Sequence, residues 1–139
     1  MLDLIRNLGR LKAAPEFRDG TFGVLARDSH GVWNGEMAYR SYHVSIHVAG
    51  DQFEPSKLKL IRARILLDGM EGRVNSALDF AAKCDPKLWR GKLSFSALDL
   101  SANTVGDRYA LRFVAVGERS GGCWRVSFEN GKPVKLDCV

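Results

Sequence analysis

Three groups of residues in this chain have types that could do chemistry, and their spacing decides what each can do. His43 and His47 stand four apart. On a helix that spacing would aim both imidazoles at one metal ion. However, Tyr42-His43-Val44-Ser45-Ile46-His47-Val48 alternates apolar and polar residues, which is the pattern of a strand. On a strand the two histidines share a face about 13 Å apart, at ~3.3 Å per residue, too far for a common ion. With Ser45 between them, they read as residues facing solvent or a protein partner. Cys123-Trp124, after Ser120-Gly121-Gly122, has the dress of a thiol-protease nucleophile. That chemistry needs a helix after the cysteine and a histidine far downstream. Here an alternating run follows, and no histidine lies beyond Trp124. The third group is basic: Lys57, Lys59, Arg62 and Arg64, then Lys83, Lys87, Arg90 and Lys92 around Trp89. Cations beside an exposed aromatic can hold single-stranded nucleic acid, and Lys57, Arg64, Lys87 and Arg90 are the candidates for it.

Other constellations do not form. Asp99 and Asp107 are isolated, and Asp51 and Asp85 stand at element ends, where turns and caps want them. No G-x-x-x-x-G-K-S/T or G-x-G-x-x-G occurs. The glycine-rich run from Gly117 to Gly122 joins two strands and opens no helix. The reading is therefore no catalytic residue, no cofactor and no metal.

The 139 residues make one domain (1–139), 45% hydrophobic and 27% charged, with net charge +5. That balance permits anionic partners without demanding one. The three cysteines, Cys84, Cys123 and Cys138, are odd in number and form no C-x-x-C. They read as free thiols in a reducing compartment, so the expected location is cytoplasmic. The first ten residues are too short and too charged for a signal peptide, and no apolar run approaches the ~20 residues of a membrane span.

Periodicity supplies the elements that must position these residues. Leu2, Ile5, Leu8 and Leu11 suit a short amphipathic helix over 1–14, ended by Pro15. Strands follow over 21–27, 32–37 and 42–48, a first meander spanning 21–48. In the last of them Tyr42, Val44, Ile46 and Val48 face one side and His43, Ser45 and His47 the other. Residues 56–84 carry one long apolar stripe, Leu60, Ala63, Leu67, Met70, Val74, Leu78 and Ala81. A straight helix there would be about 43 Å long at ~1.5 Å per residue. That length favours a kink or break near Asp68-Gly69. Residues 93–139 read as a second meander, with strands near 93–102 and 109–116 and a terminal hairpin around Asn130-Gly131. A three-residue loop, Glu129-Asn130-Gly131, would pair Trp124 with Leu136 and Val126 with Val134. It would gather the apolar side chains on one face and put Cys123 and Cys138 on opposite faces. The expected fold is α+β: a bent antiparallel sheet of six to seven strands, with one long kinked helix on its apolar face and a short N-terminal helix.

Phe22-Gly23, Trp33-Asn34-Gly35 and the closing Trp124-Arg125-Val126-Ser127-Phe128 with its Asn130-Gly131 turn form a set. Over roughly residues 20–139 the chain resembles small bacterial domain-of-unknown-function families that begin FG-x-L…W-x-G and end in a hairpin of the form h-x-V-x-F-x-x-G. Some of those families lie beside polymorphic toxins and are thought to include immunity proteins. The resemblance implies a non-catalytic protein that binds another protein, here a toxin, by steric occlusion. The surface expected to do so is the sheet face opposite the helix, where His43, Ser45 and His47 lie. The alternative is a basic nucleic-acid-binding module. A free edge strand could also support dimerisation.

Overall fold

The structure is a computed structural model that describes residues 15–88, 90–102, 106–116 and 122–139, apart from the side chains of Tyr42 and Arg90. Eight strands form one sheet in the order of the chain. They are β1 (Glu16–Asp19), β2 (Gly23–Arg27), β3 (Val32–Tyr39), β4 (Tyr42–Ala49), β5 (Leu93–Leu100), β6 (Arg108–Ala115), β7 (Cys123–Glu129) and β8 (Lys132–Cys138). Every neighbouring pair is antiparallel except β4 and β5, which run parallel. Between those two lie α1 (Lys57–Leu67) and α2 (Met70–Cys84), then a 3-10 turn at Arg90–Lys92. A parallel neighbour cannot be reached by a tight turn and needs a long crossover, and the helices supply it.

This corrects the expected fold in four respects. The sheet has eight strands, not six to seven, because Glu16–Asp19 pairs with β2 and carries too short a pattern to announce itself. The sheet is mixed: two antiparallel meanders are joined through the parallel β4–β5 pair. The one long helix is two. The chain is mostly sheet, with 49% strand and 25% helix among the described residues. The N-terminal helix expected over 1–14 falls outside the described residues.

The break between the helices sits where the length argument puts it. Asp68 is extended and Gly69 takes φ +76°, a left-handed conformation that favours glycine. Arg73 on α2 reaches back to the carbonyls of Leu66 (3.1 Å) and Asp68, filling acceptors the end of α1 leaves open. At the other end of α1, the Ser56 hydroxyl accepts from the Lys59 N–H at 3.3 Å. The buried stripe is Leu60, Ala63, Leu66, Met70, Val74, Ala77 and Ala81, close to the expected one, with Leu67 and Leu78 packed at its edge.

The helices cover one face of the sheet, α1 against β4 and β5 and α2 against β7 and β8. That face carries Trp33, Val44, Ile46, Val48, Leu111, Phe113, Val126 and Phe128 in a single apolar cluster. Along β5 the phase slips: a bulge lies between Phe95 and Ala97. Leu93 and Phe95 before it, and Leu98 and Leu100 after it, therefore all reach the helices. Trp33 is wholly buried, and its Nε1 donates to the Asp51 carbonyl at 3.0 Å. A methyl group on Gly35 would lie 2.5 Å from Leu25 Cδ2, so the glycine after Trp33-Asn34 lets β2's leucine cross β3.

The terminal hairpin also differs from its expected register. Asn130 and Gly131 both have positive φ (52° and 79°) and form a two-residue loop closed by Glu129 and Lys132. The parity is then reset between Ser127 and Phe128, where β8 carries an extra residue, Val134. Val126 pairs with Leu136 and Trp124 with Cys138. Trp124, Val126, Phe128 and Leu136 gather on one face through a bulge in β8 rather than a longer loop, and Val134, expected opposite Val126, is exposed instead. Cys123 and Cys138 point to opposite faces by this register, and all three cysteines are free.

Candidate functional site

The face opposite the helices gathers polar side chains in a row. Cross-strand register sets Asn34 beside His47, and His47 beside Asp99. On β6, Arg112 lies two residues beyond Ala110, the register partner of Asp99, with Arg125 beside it on β7. Adjacent strands sit about 4.8 Å apart, so this row is within side-chain reach throughout.

Its hydrogen bonds run in a defined direction. Asp28 in the β2–β3 turn accepts from the N–H groups of His30 (2.8 Å) and Val32 (3.0 Å) and from Asn34 Nδ2 (2.9 Å). Asn34 also donates to the Val32 carbonyl at 3.1 Å, so its side-chain oxygen is left to accept from His47 Nδ1. This arrangement fixes the neutral imidazole as the Nδ1–H tautomer. Asp99 is 6% exposed. It accepts from the Ser101 N–H (2.8 Å), the Ser101 hydroxyl and Arg112 Nε (2.8 Å). Arg125 pairs with Asp137 at 3.3 Å, so the two neighbouring arginines each hold their own carboxylate.

The electrostatics follow from burial and these partners. Burial pushes the His47 pKa below its ordinary 6.5, and Arg112 adds to the shift against the opposing pull of Asp99 and Asp28. Burial alone would raise Asp99, but the two Ser101 donors and Arg112 outweigh it and hold the carboxyl below 3.8. Asp28 is also lowered, chiefly by Asn34 and the Val32 N–H.

The three residues expected to bind a partner all lie on this face, strung along β4. His43 is exposed beside Ala38; Ser45 is half-buried between Glu36 and Ala97; His47 is half-buried in the row just described. His43 and Ser45 line an open groove of about 710 Å³ with Asn34, Glu36, Thr21 and Val24. It opens because β2 pairs with β3 only at Asn34 and Trp33 and diverges beyond them. A second groove, about 360 Å³, lies across Asp99, Ser101, Arg125, Ser127 and Lys135.

The basic candidates sit on separate elements of the helical layer. Lys57 opens α1, exposed and 3.9 Å from Glu54. Arg64, two turns on, forms a 2.6 Å ion pair with Asp19, which also accepts from the N–H groups of Thr21 and Phe22. Arg62 pairs with Asp107, and Lys59 donates to the Ala102 carbonyl at 2.9 Å. These contacts fasten α1 to strand ends and turns. Lys87 is exposed in the turn after α2; Trp89 and the Arg90 side chain lie outside the described residues.

No family model, curated protein or solved structure matches this chain. Among the described residues, no group of three His, Cys, Asp or Glu side chains gathers to hold a metal. No helix among them is long and apolar enough to cross a membrane.

Sequence reasoning missed Asn34, Asp99, Ser101 and Arg112. The missed signal was the phase change in Leu93-Ser94-Phe95-Ser96-Ala97-Leu98-Asp99-Leu100. Two leucines switching parity imply a bulge, and the bulge turns Asp99 onto the face of His47.

Proposed function

We propose that this chain is a non-catalytic protein-binding protein that acts by occlusion through the sheet face opposite the helices, in the manner of an immunity protein neutralising a bacterial toxin in the cytoplasm. The observation that carries this reading is the mutual commitment of the polar groups on that face. Asn34 holds His47 Nδ1, while Ser101 and Arg112 are spent on Asp99. Such a row makes a rigid polar surface, and the groove beside it presents His43 and Ser45. Polar groups held by one another beside a groove suit the recognition of another protein surface, where each hydrogen bond serves register and exclusion. The free thiols and the resemblance to toxin-linked families support the cytoplasmic and immunity parts of the reading.

The test is affinity capture from the native lysate with tagged wild type and with a His43→Glu, Ser45→Arg double variant, each with and without nuclease and high salt. The expected result is one stoichiometric protein that survives both treatments and binds the variant at least about tenfold more weakly, as for loss of central contacts. The variant should keep the wild-type unfolding midpoint. Capture of nucleic acid, released by salt through counterion binding, would replace this reading with the basic-module one.

A further inference from the structure

α1 is apolar on both sides. Leu60, Ala63 and Leu66 face the core. Leu58, Ile61 and Ile65 face outward, exposed by 80%, 48% and 54%. Single exposed leucines are ordinary on protein surfaces, and a surface helix ordinarily carries one apolar stripe. Here the outward residues fall three and four apart, which lines them up along the helix axis. This is the a-d-a spacing of a helix-pairing seam. Phe53, in the loop leading to α1, is 76% exposed as well. At the g positions of that seam stand Lys57 and Arg64, and at its e position Arg62; α1 contains no acid at all, and the carboxylates these cations meet, Glu54, Asp19 and Asp107, come from other segments. Asp19 is buried beneath its ion pair, whereas Arg64 remains 42% exposed, so the guanidinium keeps a solvent-facing part.

We infer that the outer stripe of α1 docks an acidic amphipathic helix of a partner protein. The partner's apolar a and d side chains lie against Leu58, Ile61 and Ile65. Its e and g carboxylates face Lys57, Arg62 and Arg64. Charge selects this occupant over a second copy of the chain, because pairing two α1 helices sets these cations against one another, and like charges at e and g reject a partner. The surface belongs to the helical layer, away from the His43–Ser45 groove, so this inference and the proposed function fail independently.

The probe is a synthetic helical peptide with Leu at a and d and Glu at e and g, titrated into the isotope-labelled full chain and followed by amide and methyl NMR. The expected result is saturable shifts centred on α1. Affinity should fall at least about tenfold in a Leu58→Ser, Ile61→Ser variant, as for loss of interface anchors. Lys57→Glu should weaken the Glu peptide and strengthen a matched peptide with Lys at e and g. Because the altered side chains are exposed, the untouched amide spectrum of the sheet serves as the folding control. Equal binding of the Glu and Lys peptides would overturn the inference, as would no binding of either. Three other results would also overturn it by naming a different occupant. These are co-sedimentation with phosphatidylserine vesicles that Leu58→Ser, Ile61→Ser abolishes, a dimer in sedimentation equilibrium that the same variant dissociates, and methyl NOEs between Ile61 or Ile65 and residues 1–14 in the free monomer.

Discussion

On the helix-covered face of the sheet, Trp33, Leu111 and Phe113 are wholly buried within one apolar cluster. One residue along on the same strands, Asn34 and Arg112 belong to a row of hydrogen bonds and ion pairs. The two faces are held by different physics. Apolar burial is non-directional and scales with the area removed from water, so the covered face depends on volume and fit. The opposite face depends on direction and stoichiometry, because a buried donor or acceptor costs most when its partner is taken away. Loss of a side chain should therefore cost the covered face in proportion to size, and cost the opposite face in proportion to what is left unpaired.

The largest expected effect is on the covered face. Among the described residues, Trp33→Ala removes the largest fully buried side chain, and it takes the indole donor from the Asp51 carbonyl. The loss should be about 3–5 kcal/mol in urea denaturation, as for other buried large-to-small changes. Trp33→Phe should recover most of the packing and leave the carbonyl unpaired, for a remaining loss of about 1 kcal/mol. A Trp33→Phe loss as large as that of Trp33→Ala would show that the covered face also rests on a directional contact, and would erase the contrast.

The next effect tests the opposite face. Asp99→Ala removes a small side chain, yet strands Arg112 and the Ser101 donors. Complete burial would put the cost of a broken pair at 3–5 kcal/mol, but Arg112 is 33% exposed, which reduces it to about 2 kcal/mol. The diagnostic is the double variant Asp99→Ala, Arg112→Leu, which should be more stable than Asp99→Ala alone, because no charge is then left without a partner. If the two losses simply add, the row is a solvated fringe and the two faces do not differ in kind.

The same contrast explains which parts of this molecule the sequence made legible. Alternation announced β4 and assigned Val44, Ile46 and Val48 to one face and His43, Ser45 and His47 to the other, because period-two burial is a local property. The helical stripe was legible for the same reason, but because it keeps its phase through Gly69 it suggested one kinked helix where there are two. The count of strands was not, since β1 is four residues long and owes its place to pairing with β2. The parallel join of β4 to β5 was hidden too. It is a non-local pairing of residues 52 apart, and consecutive short connections suggested only meanders. The hairpin register required a bulge at Val134 that a loop-length argument does not contain. The row through Asp99 combined both difficulties: a bulge turned Asp99 to the other face, and a crossover brought it to His47. Arg64 shows what a run of cations in a sequence leaves out. In sequence it is one of four cations, and in space it is Asp19's partner.

The smallest expected effect concerns His47 and is read in pH rather than in a deletion. Its folded pKa lies below the ordinary 6.5, because burial disfavours the charged ring and Arg112 repels it. The unfolded state therefore takes up the proton first as pH falls. His47 should contribute no pH dependence well above 6.5, and should withdraw stability progressively as pH drops below 6.5 toward the folded value. Asp19, Asp28 and Asp99 have folded pKa values below 3.8, so their stabilisation is intact above that value and is lost only as pH falls through the lower folded range. The two windows are separate. His47→Gln, which retains an amide donor toward Asn34, should flatten the fall in urea midpoint between neutral pH and about pH 5 while leaving the acid limb below about pH 4 in place. A wild-type slope that persists unchanged in the variant would mean that His47 is solvated and outside the row. The polar face would then begin at Asp99 rather than at Asn34, and His47 would join His43 as a side chain open to a partner.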